Sequence, residues 1–97
     1  MNQKSNILSP KQVLDMYYLD TRWHLMEIGA MLDRAERGAA AHPDDTSLVT
    51  DLRAEILREA LALLATPSPE PNRAERLGTL FTKLDLRHPE ASEMKGE

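Results

Sequence analysis

Cysteine is missing from the 97 residues. That excludes disulfides, thiolate metal sites and cysteine nucleophilic catalysis. A surplus of positive charge is missing as well: 12 Lys and Arg stand against 16 Asp and Glu, for a formal net charge of −4. The arginines are scattered among acids, so the basic footprint of a nucleic-acid binder is not formed. No run approaches the roughly 18 apolar residues that a membrane span requires. Residues 1–6 are polar and lack the apolar core of a secretory signal. A soluble cytoplasmic protein with no membrane and no nucleic-acid partner is the expectation. Glycine-rich phosphate loops, GxSxG elbows and HExxH pairs do not occur, and no serine has a histidine at suggestive spacing. No cofactor is predicted. The few β-branched residues never alternate over four or more positions, so no strand is expected, and no internal repeat is found.

The stretch from Ser9 to Gly38 dominates the chain. Ser9 is an N-cap residue, Pro10 occupies the first helical position and Gln12 falls three residues after the cap, which spells a capping box. Arg34 and Arg37 precede Gly38, a pattern that marks a C-terminus. A helix over 10–37 is about 42 Å long at about 1.5 Å per residue. One apolar stripe runs Leu14, Tyr18, Thr21, Leu25, Ile28, Leu32, Ala35 in alternating steps of four and three, a heptad seam with a polar break at Thr21. A second stripe runs Met16, Leu19, Trp23, Met26, Ala30. Apolar residues on two faces imply more than one neighbour.

Asp44 or Asp45 is read as the cap of a second helix over about 46–65, whose apolar positions include Leu48, Leu52, Ile56, Ala60 and Leu63. Pro67, Pro69 and Pro71 end it. A third helix is predicted over about 71–84, with Ala74, Leu77, Leu80, Phe81 and Leu84 as its stripe. Residues 1–8 are read as a flexible arm and 85–97 as a disordered tail, around a single helical domain at 9–84. The predicted fold class is all-α, a three-helix antiparallel bundle with one long N-terminal helix. At about 1.5 Å per residue the second and third helices reach only about 30 and 20 Å. The upper part of one face of the first helix, around Trp23, Met26, Ala30 and Met31, is therefore expected to lack a partner within one chain. A homodimer through that surface, or a complex with another helical protein, is the expectation.

Three groups invite a chemical reading. Asp20, His24 and Glu27 share a helical face, and an imidazole with two carboxylates can bind a transition metal or act as acid and base. The plainer reading is a solvent-side Asp20–His24 pair with Glu27 on the surface. Tyr17, Tyr18 and Trp23 hold three of the four aromatics in seven residues. They are read as core or interface anchors, because base stacking needs positive charge that this region lacks. Arg22 is read as the partner of an acid, with Asp15 on the same side. The functional expectation is a non-enzymatic interaction or oligomerisation module. The competing expectation is a small dimeric metal-binding bundle or enzyme using Asp20, His24 and Glu27.

Overall fold

The computed structural model describes residues 6–87, the last two as backbone alone. The expected arm and tail fall largely outside them, since residues 1–5 and 88–97 are not described. All regular structure among the described residues is helical: α1 (Pro10–Ala41), α2 (Ser47–Thr50), α3 (Leu52–Ala65) and α4 (Arg73–Arg87). The chain divides into two compact units, residues 1–42 and 43–97.

The start of α1 is the capping box. Ser9 is extended at φ −73° and ψ 162°. Its hydroxyl accepts from the Gln12 amide at 3.2 Å, and its own N–H donates to Gln12 Oε1 at 2.9 Å. Two amides that the helix leaves without intrahelical partners are thereby satisfied. The predicted stop at Gly38 is corrected. The helix runs on through Ala39, Ala40 and Ala41, and the His42 N–H closes it by donating to the Gly38 carbonyl at 2.9 Å. Gly38 has no positive φ. One glycine costs a helix about 1 kcal/mol, while the alanines after it are the best helix formers. Pro43 imposes the end instead, because the residue before a proline is pushed out of the helical region; His42 sits at φ −127° and ψ 74°.

The single second helix predicted over 46–65 is also corrected. Asp51 is extended, at φ −79° and ψ 129°, and divides it into α2 and α3. The physical reason is local competition for the backbone. The Asp51 carboxylate accepts from the Arg53 amide at 2.8 Å, which makes it the N-cap of α3. The same carboxylate takes the Arg53 guanidinium at 3.0 and 2.8 Å, and this partner raises the arginine above its ordinary pKa. Arg58 ties the two pieces together by donating to the Leu48 carbonyl at 2.8 Å. Neither proposed cap holds the N-cap position of α2, which is Thr46 with no side-chain cap bond; Asp45, one residue earlier, accepts from the Ser47 amide at 3.0 Å.

The prolines end α3 at Ala65. Thr66 turns extended, and its hydroxyl donates to the Ala62 carbonyl at 2.7 Å. Arg73 reaches back across the connection to the Thr66 carbonyl at 3.0 Å. The third predicted helix is displaced: α4 begins at Arg73, where Asn72 supplies the first accepting carbonyl, to Arg76 at 3.0 Å. It continues past Leu84 to Arg87, so residues 85–87 are helix and not tail. No proline or glycine lies between Leu84 and Arg87 to interrupt it.

The core lies between α3 and α4. Ile56, Ala60, Leu80 and Leu84 are buried, with Leu52, Leu77 and Phe81 packed against them. Thr66 meets Arg73 beside the turn, and Glu59 meets Lys83 at 3.9 Å further along, so the two helices run antiparallel. Each of these core stripes follows helical spacing on a single face.

Candidate interaction surface

No residue of α1 is buried. Its exposed side chains include large apolar ones that water solvates poorly. On the heptad seam, Leu14 is 61% exposed, Tyr18 56% and Leu25 58%. On the second stripe, Met16, Leu19, Trp23 and Met26 are exposed too. At 3.6 residues per turn the mean directions of the stripes fall on nearly opposite sides of the helix. A column of smaller or charged residues, Asp15, Arg22 and Gly29, divides them along one flank. Further along, Ile28, Leu32 and Ala35 are half-buried.

Of the four interface residues read from the sequence, Trp23, Met26 and Met31 are exposed and Ala30 is half-buried. Tyr17 is exposed beside Tyr18, so all three clustered aromatics face solvent. Asp20, His24 and Glu27 lie along one exposed face of α1. Among the described residues no group of three or more His, Asp or Glu side chains is placed to hold a metal ion. One chain therefore does not gather these three into a ligand set. The pairing read for Arg22 with Asp15 is not formed within the chain. Asp15 takes Lys11 instead, at 3.0 Å. Lys11 is one turn from Asp15, whereas Arg22 is two turns away, about 10 Å along the axis.

A feature that periodicity does not reveal lies on the other unit. An open groove of about 690 Å³ runs beside the α3–α4 turn, with Leu63 and Leu80 in its floor and Glu59, Glu75, Arg76 and Lys83 around it. The charges are of both signs and exposed, which is the composition of an ordinary solvated helix surface. Its only sequence signal is the proline-rich connection. No helix is long and apolar enough to cross a membrane among the described residues.

Comparison with protein-family models, with curated proteins and with solved structures finds no match. The exposed surface of α1 is therefore the feature from which function has to be read.

Proposed function

We propose that this chain is a non-enzymatic, cytoplasmic protein–protein interaction module that assembles through α1, as a homodimer or with another helical protein. The observation that carries this reading is a helix of 32 residues with none of them buried and large apolar side chains exposed on both sides. Exposed apolar surface of this extent in a water-soluble chain marks an interface. The proposed arrangement is the three-helix antiparallel bundle, in which one stripe of α1 is met by helices of its own chain and the other by a second protein. Trp23, Met26 and Met31 belong to the exposed apolar surface of α1 open to such partners, and Trp23 has the size and amphipathic character of an interface anchor.

Sedimentation velocity between about 1 and 100 μM tests the homodimer. A mass above that of one 10.9 kDa chain, rising with concentration, is expected. The double variant Leu25→Asp/Met26→Asp, which places a charge on each of the two apolar stripes, should shift that equilibrium toward the single chain by about tenfold or more. A single-chain mass across the whole range would overturn self-assembly.

A further inference from the structure

Self-assembly through α1 leaves open which stripe meets the second copy, and in which direction. We propose that two copies pair antiparallel along the Leu14–Leu25 part of the seam, with Asp15 of each chain against Arg22 of the other. This rests on the assembly proposed above and goes beyond it in naming the face, the orientation and the register.

Heptad geometry selects the register. In the seam, Leu14, Thr21 and Ile28 occupy d positions, Tyr18 and Leu25 occupy a positions, and Asp15 and Arg22 fall at e. When two helices run antiparallel, a packs on d and e faces e. A two-fold axis between residues 18 and 21 then places Leu14 beside Leu25 of the second copy. Tyr18 meets Thr21, and Asp15 meets Arg22. Each contact occurs twice, as an isologous interface requires. Three features agree on this register. The only pair of opposite charges within the two e columns here is satisfied twice. Thr21, the one polar residue in the seam, meets the phenol of Tyr18 and not a leucine, so the two hydroxyl-bearing positions share the centre. The side chains brought together are the exposed ones, Leu14, Tyr18 and Leu25.

The competing alignments fail on the same residues. In a parallel pair, g faces e, which sets Tyr17 against Arg22 and His24 against Gly29, with no opposite-charge contact. Sliding the antiparallel pair by one heptad opposes Arg22 to Arg22, and sliding it by two sets Asp15 against Glu36. A slide of three heptads brings Arg22 to Glu36, but it pairs Ile28 with Leu32 and Leu25 with Ala35, and of these only Leu25 is not already half-buried. In the favoured register Arg22 gains a carboxylate; among the described residues it has none within its own chain. Asp15 keeps Lys11 at 3.0 Å and adds the second copy's arginine, giving a three-charge cluster at each end of the contact. The overlap spans Lys11 to Ile28, roughly 27 Å of helix. The Trp23–Met26 stripe faces away from this contact, free for helices of the same chain or for another helical protein.

The test is a charge swap read by sedimentation equilibrium at low salt. Asp15→Arg and Arg22→Asp each put like charges together twice and should weaken self-association by about tenfold. The double variant Asp15→Arg/Arg22→Asp restores both pairs and should return to within about threefold of the unsubstituted chain. A second readout uses the absence of cysteine. Leu14→Cys mixed with Leu25→Cys should oxidise to a disulfide-linked heterodimer, while Leu14→Cys alone should not form a linked homodimer. An unsubstituted chain that stays single overturns the assembly itself. A chain that assembles, but whose double variant is no better than the single ones and whose mixed cysteines do not link, overturns this register and leaves assembly through α1 standing.

Discussion

The α3–α4 hairpin and α1 both carry apolar residues at helical spacing, yet they end in opposite conditions. In the hairpin, Ile56, Ala60, Leu80 and Leu84 are buried, with Ile56 only 2% exposed. In α1 no residue is buried. The difference lies in the number of faces, and not in apolar content. Each hairpin helix carries its core residues on one side, which one antiparallel neighbour covers, while Leu57 and Leu64 on another side of α3 stay exposed. α1 carries apolar stripes on nearly opposite sides, and a straight neighbouring helix covers only one of them. A helix of that kind is finished only when at least two bodies pack on it.

The largest effect expected from this contrast is at Ile56. Replacing it with Ala removes buried methyl groups from a core of four buried residues and should cost about 2–4 kcal/mol. Net stabilities of small domains are of the same order, so residues 43–87 should lose cooperative unfolding in a urea titration followed by circular dichroism. Leu25→Ala, the matched truncation on α1, should change the stability of the single chain by well under 1 kcal/mol, since Leu25 is 58% exposed. Equal losses from the two substitutions would mean that α1 is as enclosed as the hairpin and would erase the contrast.

A middle-sized effect is expected at Asp51. Its carboxylate caps α3 and holds Arg53, and both groups are accessible to water. Asp51→Ala should cost about 1 kcal/mol, mostly the lost cap, and lower the thermal midpoint of the 43–87 region by several degrees. Asp51→Asn retains a cap acceptor and should recover most of the loss. If it recovers none, the ion pair to Arg53 stabilises more than the cap does, against the small contribution normal for an exposed pair.

These residues also show which parts of the fold are legible in the sequence. The Ser9–Pro10–Gln12 box, the proline stop after Ala65 and the apolar spacing of Leu77, Leu80 and Leu84 are short-range signals with one outcome each, and all three appear in the fold. Asp51 is equally visible, but in a run of helical spacing it looks like a surface acid. Its preference for capping wins because an extended residue there costs only one interrupted turn, which Arg58 bridges back to Leu48. The end of α1 is misplaced when Gly38 is weighed without the three alanines that follow it. A shared side of the helix suggests Asp15 for Arg22, and distance along the axis decides otherwise. As for the site, periodicity finds the exposed surface of α1. That its two stripes point nearly opposite ways, and not a third of a turn apart, follows from 3.6 residues per turn over the same helix.

The smallest effect is expected at Gly38, and it sharpens the comparison at the far end of α1. Gly38 lies inside the helix without a positive φ, and a Cβ added there meets nothing within 4 Å. Gly38→Ala should therefore stabilise α1 by about 0.5–1 kcal/mol, through the smaller backbone entropy lost on folding, and raise helicity slightly. Self-association should stay within about twofold if it uses the contact proposed over Leu14–Leu25, which lies more than three turns away. A loss of stability or of association would have one physical source: another backbone packed closely on Gly38, where the added methyl has no room. That outcome would move the assembling surface to the C-terminal half of α1, onto the Ile28–Ala35 stretch, and would favour the register that pairs Arg22 with Glu36.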